Sequence, residues 1–516
     1  MATDYVLAFD MGTTNIKAAL IDQDGNVAYQ GRGKVKPWFP QDSWVEVDPE
    51  QWWDVICSLT KSLLESSGVD GSSVKGLAVA SAACGVTVFG RDCNPLRRSI
   101  VWLDNRASAE AEAVMANFGG RDAFFEATGM ILCGKDAVMK HLWLMYNEPE
   151  IYENAKWLLD DAGYILYRAT GKCVCSRANA SAIALDLASG EWDENLLGAL
   201  GLDPEKYPAL VDSNEMVGYL TEQAAQEIGL HTGVAVFGGC TDIHGVELGS
   251  GCSKPGDSYF YLGTSGLIGI VCEAPQEPSL AATPLASAVP GKSFMMGTSE
   301  MTGGCIDWAV ENLFKHEYDT LGKDALGYAN KRLQETKPGA DNLIFANWLY
   351  GERNPMMDEW ARAGFINLSV THNRDHMLRA VYEGCACQMV WIVNEIERLH
   401  GLAMPRLRVS GGGTLSANWM QIVADIANKP VDVIEDALAV VVKGVGYAAL
   451  VGLGYLPGFD SLSDCVKIEK TYMPQPENAE LYRKKLDDYI AMYSIQKDLF
   501  KRLNAPENLK EEPLNE

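Results

Sequence analysis

Two rhythms of apolar and polar positions run along this chain, and one short pattern occurs twice, half a chain apart. Near the start, the apolar run Tyr5-Val6-Leu7-Ala8-Phe9 meets Asp10-Met11-Gly12-Thr13-Thr14-Asn15, and a second apolar run follows from Ile16 to Ile21. Near the middle, Ser258-Tyr259-Phe260-Tyr261-Leu262 meets Gly263-Thr264-Ser265-Gly266, followed by Leu267-Ile268-Gly269-Ile270-Val271. Each copy reads as strand, small hydroxyl-bearing turn, strand: a β-hairpin. Glycine lets another group approach the tip closely, and the amides and hydroxyls there suit a phosphate. Two such tips facing each other would clamp a nucleotide triphosphate between similar lobes.

The remaining pattern is that of an α/β protein. Asp24-Gly25-Asn26 makes a turn before a third strand over Val27 to Val35. Asp48 caps a helix with Pro49 at its first position and Trp52, Trp53, Ile56 and Leu59 on one face. Val74 to Ala80, Val86 to Phe89 and Val101 to Leu103 read as strands, and Ala107 to Leu200 as mostly helical. A turn-rich boundary at Ser253-Lys254-Pro255-Gly256 divides a first lobe, residues 1–250, from a second, 251–516. Helices are expected at 304–315, 324–335, 376–400 and 417–427, with an amphipathic C-terminal helix through Tyr482, Leu486, Tyr489, Ile490 and Tyr493. Beyond Asn504 the chain turns charged and is expected to fray.

Composition narrows the partners. With 516 residues, 47% hydrophobic and 22% charged, the chain can bury large cores. Its formal net charge of −26 excludes nucleic acid and anionic membrane as expected partners, since both require positive fields. Affinity for a polyphosphate must then come from backbone dipoles and a divalent cation. The 13 cysteines include no C-x-x-C and no zinc-type spacing, and no secretory leader is legible, so reduced thiols in a cytoplasmic protein are expected. The longest apolar stretch, Ala437 to Leu456, is broken by Lys443 and four glycines and reads as a core helix.

Four places could carry chemistry. Asp10 ends an apolar strand before the first glycine turn, where a carboxylate can hold Mg²⁺ beside phosphates or simply cap its own turn. Asp242 follows the strand Val234 to Phe237 and a Gly-Gly turn, where α/β sheets place ligands; an aspartate starting a helix is also a common N-cap. His244 beside it reads as a core or surface histidine. Trp102-Leu103-Asp104-Asn105-Arg106 groups an acid, an amide and a guanidinium beside an aromatic ring, which suits a polyol's hydroxyls. Gly411-Gly412-Gly413, ahead of Asn418 and Trp419, lets backbone lie flat against a planar ring such as adenine. Gly444-Val445-Gly446-Tyr447-Ala448-Ala449 fits a dinucleotide fingerprint but lacks its βαβ frame, and no P-loop or nucleophile elbow exists.

Taken in order, these segments resemble the FGGY family of carbohydrate kinases, relatives of actin, Hsp70 and hexokinase. The matching pieces also include Gly303-Gly304-Cys305-Ile306-Asp307-Trp308 and Gly351-Glu352-Arg353-Asn354-Pro355 through Asp358. The resemblance implies two ribonuclease-H-like lobes around a cleft, with sugar on the first and ATP mainly on the second. By position, Asp242 resembles the catalytic base and, with Asp10, the Mg²⁺ side. Asp104, Trp102, Arg106, Cys84 and Asp242 fall where sugar is bound. Thr13, Thr14, Asn15, Gly263, Thr264, Gly303, Asp307, Gly412, Gly413 and Asn418 fall along ATP. Homodimers are common in the family, though no interface is legible here.

Within the family, xylulokinases are most similar, which makes D-xylulose the leading substrate. The chain departs from their usual pattern at Ala83-Cys84, where they carry Met-His, and at Ile243, where they carry Asn. The segment from Asp242 to Gly245 is closer to ribulokinase-type relatives, and Trp102 to Arg106 is similar to gluconokinases, so ribulose and gluconate stay open. So does an actin- or Hsp70-like ATP switch without sugar transfer, or a kinase that has lost catalysis. The first would need a polymerisation surface or a peptide-binding domain, and neither is visible; the second would lack the expected acids, which are present.

Overall fold

The computed structural model describes residues 3–128 and 131–505; the charged tail lies, from residue 506 on, outside them. Two seven-stranded mixed sheets organise the chain. In the first, the hairpin Tyr5–Met11 and Asn15–Asp22 is extended antiparallel by Val27–Lys34. On its other side, Tyr5–Met11 runs parallel to Val74–Ser81, which runs parallel to Ala235–Phe237. The second sheet repeats the plan. The hairpin Ser258–Leu262 and Gly266–Cys272 is extended by Ser293–Ser299, and Ser258–Leu262 runs parallel to Leu407–Ser410, which runs parallel to Val431–Ile434. The duplication seen in two hairpins is therefore a duplication of whole sheets.

Local rules explain the main elements. Asp48 caps the helix Pro49–Ser67 by accepting from Glu50 N–H, and Trp52, Trp53, Ile56 and Leu59 bury against the first sheet. The 27-residue helix Arg374–His400 crosses the second sheet and is almost wholly buried through Val393. The C-terminal helix Ala479–Asn504 buries Tyr482, Leu486 and Tyr489 beside it, with Ile490 and Tyr493 partly covered. Residues 107–200 are mostly helical, as expected, with the short strands Ala155–Leu159 and Val174–Ser176 among the helices. One expectation changes. Only Ser99–Ile100 forms a strand ahead of Trp102, and Trp102-Leu103 lies in a turn. The polar residues that follow pull that backbone out of register.

The lobes meet through two helices, Asp242–Gly249 and Val440–Gly452. Glycines make the crossing possible. A Cβ on Gly249 would stand 1.9 Å from the Val440 carbonyl oxygen, and one on Gly444 would stand 2.0 Å from that of Gly245. Gly444 thus serves helix packing, and Gly446 seats the helix on the first sheet, where a Cβ would stand 2.2 Å from the Ile21 side chain; this accounts for the misleading dinucleotide pattern. The helix Val440–Gly452 belongs to the second half of the sequence yet lies against the first sheet's Tyr5–Met11 and Val74–Ser81. Val6 and Ala8 from one sheet and Tyr259 and Val271 from the other share the resulting core.

Candidate active site

The site forms where the first hairpin, the start of the helix at 242 and the second hairpin converge. Asp10, on the strand before the first tip, pairs across the hairpin with Lys17, whose Nζ lies 3.1 Å from Asp10 Oδ2. Its carboxylate therefore faces a cation in place of capping the turn. Asp242 is the first residue of its helix; Thr241 is the N-cap, its hydroxyl accepting from His244 N–H. That frees the Asp242 carboxylate, which accepts from Ile243 N–H at 2.9 Å and from the amide of Ala83. Burial pushes Asp242 up to about 7, the Asp10 charge adds to this, and the two amides partly offset it. Lys17 and Tyr261, one strand residue before the second tip, both feel the charges of Asp10 and Asp242. Burial keeps the Tyr261 hydroxyl protonated.

Both tips are rigidly made. Gly12 N–H closes the first onto the Asn15 carbonyl at 3.0 Å, and Val35 N–H binds the Thr14 carbonyl at 2.9 Å. The Thr13 hydroxyl accepts from Trp102 Nε1 at 2.9 Å, and the Thr14 hydroxyl from Asn15 Nδ2 at 3.0 Å. The second tip rests on the helix Gly303–Leu313. Thr302 and Gly304 donate to the Thr264 carbonyl at 2.8 and 3.1 Å, and Gly303 to that of Gly263 at 3.0 Å. A Cβ on Gly303 would stand 2.4 Å from the Gly263 oxygen. Gly303 thus acts by being small, and its amide is already engaged.

Further along the second lobe, Gly413 packs on Leu262 and Trp419, while a side chain at Gly412 would meet open space. Asn418 Nδ2 donates to the Asn330 carbonyl at 2.8 Å, and the Tyr382 hydroxyl donates to Asn330 Oδ1 at 2.6 Å. Asp307 is exposed on the neighbouring helix, and its charge reaches Tyr382. Gly412, Gly413, Asn418 and Asp307 therefore border one surface that continues to the tip at Gly263 and Thr264.

The Trp102–Arg106 group divides. Trp102 stays 39% exposed on the cleft side, against Thr13. Asp104 is fully buried, taking Arg106 Nε on one oxygen at 2.8 Å and Arg106 Nη2 and Val45 N–H on the other at 2.7 and 2.5 Å. Arg106 lies 4.0 Å over the Trp44 ring and pairs also with Glu46 at 2.9 Å. These two residues brace the turn from inside, and Arg106 Nη1 is left buried without a hydrogen-bond partner. Cys84 adopts a left-handed φ of 63°, and its carbonyl accepts from buried Lys140 at 2.8 Å. Burial raises its thiol, which receives the Ala137 N–H. His244 is a buried core histidine, bonded to the Thr241 hydroxyl at 2.6 Å and the Ala286 carbonyl at 2.7 Å. Lys17 and Tyr261 went unnoticed in the sequence. Lys17 was recoverable from hairpin register, and Tyr261 from its matching place in the second repeat.

Residues 5–249 match the N-terminal domain of the FGGY family of carbohydrate kinases, and residues 258–453 its C-terminal domain. The chain belongs to that family. It is an ATP-dependent carbohydrate kinase with the two-lobed α/β architecture expected from its sequence. A xylulose kinase of Lactococcus lactis is 27% identical, the match covering 96% of each chain. A gluconokinase of Bacillus subtilis is 24% identical over 97% of this chain and 98% of its own. The crystal structure of a xylulose kinase from Rhodospirillum rubrum superposes with a TM-score of 0.87 at 27% identity, covering 96% of this chain and all of the other. The family thus makes sugar and ATP the small-molecule partners. Among the described residues, no helix is long and apolar enough to cross a membrane, and the 13 cysteines form no disulfide.

Proposed function

We propose that this FGGY-family kinase phosphorylates a sugar hydroxyl, of D-xylulose before ribulose or gluconate, with Asp242 as the base. The observation that carries the reading is the convergence of Asp242, Asp10, Lys17 and Tyr261 between two glycine tips. Asp242, bordering the Trp102 side of the cleft through Ala83, accepts the proton of the attacking hydroxyl. Phosphoryl transfer passes through a loose transition state, so a late proton acceptor suffices and positioning carries most of the rate. Thr13, Thr14, Asn15, Gly263 and Thr264 hold the phosphates, and the surface from Gly303 and Asp307 to Gly412, Gly413 and Asn418 holds the nucleoside. Lys17 offers a cation and Tyr261 a hydroxyl donor toward the same oxygens.

A buried carboxylate that feels the charge of a second one also fits a cation. Mg²⁺ takes few protein ligands beside substrate phosphates, and no cluster of three acidic, His or Cys ligands exists among the described residues. Asp10 and Asp242 would hold it, where it would neutralise charge on the phosphate oxygens. A coupled assay of ADP release over pentuloses, aldonates and polyols tests the reading. Sugar-dependent release with D-xylulose at the head supports it. Release independent of sugar would point to an ATP switch, and no release to a kinase that has lost catalysis.

A further inference from the structure

Beside Asp242 stands a wall that the chemistry above leaves without a role. Ala83 gives its amide to Asp242, and Cys84 follows directly. Lys140, buried in the helix Ala137–Asn147, ties the Cys84 carbonyl at 2.8 Å to that of Val101 at 3.0 Å, which fixes this loop to the Trp102 turn. The next element along the wall is residues 133–136. Gly134 is pressed into the same turn, since a Cβ there would stand 2.5 Å from Ser108 N and 2.7 Å from the Asn105 carbonyl.

Asp136 occupies the N-cap position of that helix, with the extended backbone of a cap, yet its side chain caps nothing. A capping aspartate ordinarily binds the second or third amide of its helix. Here the carboxylate turns away and takes its hydrogen bonds from Cys133 alone, the amide reaching Oδ2 at 2.8 Å. A carboxylate can accept about four hydrogen bonds, so most of its capacity is unused. The second lobe supplies the opposite side. Arg353 forms an ion pair with Glu300, and its charge reaches Cys84, Cys133 and Asp136. Its loop is fixed because buried Glu352 receives the Ser299 hydroxyl at 2.8 Å and the amides of Glu300 and Arg353 at 2.7 and 2.9 Å.

We infer that Asp136 is the specificity-determining residue: it accepts hydroxyl hydrogens from a neutral polyhydroxy substrate and repels an aldonate. The inference rests on the sugar-kinase reading and narrows its substrate class. An ionised carboxylate only accepts, so it selects partners that bring donors. An aldonate's carboxylate would meet like charge at Asp136, and the cations whose charges reach it are already engaged, Arg353 by Glu300 and Lys140 by the Cys84 and Val101 carbonyls. A site built to bind substrate hydroxyls also discriminates far more sharply than an apolar pocket.

The test compares wild type, Asp136→Asn and Asp136→Ala in the coupled ADP assay with D-xylulose, D-ribulose, xylitol and D-gluconate. Wild type is expected to favour the neutral substrates. Asp136→Asn should raise KM for the best of them about 10–100-fold, the loss expected for a hydrogen bond to a charged acceptor. Its kcat should stay within a few-fold, and its KM for ATP should report an intact fold. In Asp136→Ala the gluconate-to-sugar ratio should rise. A wild type that prefers gluconate overturns the inference without any variant. So does an unchanged sugar KM in Asp136→Asn. If no sugar stimulates release by wild type, both this inference and the reading beneath it fall; if sugar stimulates and Asp136→Asn is silent, only this one does.

Discussion

The two hairpins share a backbone and divide the labour. In the first, Asp10 faces Lys17 across the strands; in the second, Tyr261 occupies the matching place and faces Leu267. The first tip leans on the loop that holds Asp242, because Ala82 N–H bonds the Met11 carbonyl at 3.3 Å. The second leans on three amides of a helix N-terminus. Duplication thus produced two glycine-tipped hairpins, and divergence placed charge on one and a neutral, braced edge on the other. The acids and Lys17 sit with the lobe proposed to receive sugar, while the braced tip continues into the surface proposed for the nucleoside.

The largest break in that asymmetry is expected at Asp242. Asp242→Asn should lower kcat about 10²–10⁴-fold, the usual worth of a positioned base, with KM for ATP and sugar little changed. Tyr261→Phe, on the neutral side, should cost less than about tenfold, in line with one neutral hydrogen bond. Steady-state kinetics on both variants decide the matter. Equal losses would show that the second hairpin shares the chemistry, and the division drawn above would fail.

Next come the glycines. Gly303→Ala would drive a methyl to 2.4 Å from the Gly263 oxygen, a backbone atom that cannot swing aside. Overpacking of this kind costs about 1–3 kcal/mol, and the displaced tip should raise KM for ATP. Gly12→Ala meets only the Asn15 oxygen, at 3.0 Å, and should cost less. Thermal melts with and without ATP rank the two; a larger loss at Gly12 would mean that the first tip is the stiffer one.

The joint between the lobes carries a pH signature. Glu247, on the crossing helix Asp242–Gly249, is fully buried; it receives the Ser287 hydroxyl and, at 3.2 Å, the Ala288 amide. Burial pushes its carboxyl up to about 8. Between the ordinary glutamate value and 8 the folded protein therefore holds a proton that the unfolded chain has released. Stability should fall as pH rises through that window, by up to about 1.4 kcal/mol per unit from this group. His244, pushed by burial down to about 4, acts the other way: its stability deficit disappears as pH rises to the ordinary histidine range. Denaturant titrations at pH 6.5–8 avoid it, and Glu247→Gln should flatten the slope there. An unaltered slope would place the proton elsewhere.

Much of this was legible in residues. Hairpin tips, the Asp48 cap, the helix around Val440–Gly452 and the place of Asp242 all follow from short-range rules of turn chemistry, capping and periodicity. What escaped depends on distant partners. Asp104 and Arg106 look like sugar ligands because acid, amide and guanidinium lie adjacent in sequence; only the fold shows Trp44, Val45 and Glu46 closing over them. Asp136 looks like an ordinary helix cap, and only the lack of a capping bond reveals that it faces elsewhere. Gly444 and Gly446 look like a nucleotide fingerprint until Gly245 and Gly249 appear opposite the first and Ile21 and Ala8 opposite the second. Local grammar fixes elements, whereas the use of a polar group is settled by what packs against it.

The smallest effect is expected at the contact joining the sugar side to the first tip. Trp102 is partly exposed, and its indole N–H donates one neutral hydrogen bond to Thr13 Oγ1 at 2.9 Å. Trp102→Phe keeps an aromatic face in the cleft and deletes that donor. Thr13 is only half-buried and can turn to water, so no buried group is left unpaired, and the net cost is about 0.5–1.5 kcal/mol at most. That corresponds to a loss of about 2- to 10-fold in kcat/KM for sugar, with the melting temperature unmoved. Since the bond steadies a hydroxyl proposed to face phosphate, the loss should fall on kcat more than on sugar KM. A drop confined to sugar KM would show that Trp102 binds sugar directly and that the first hairpin needs no support from that side.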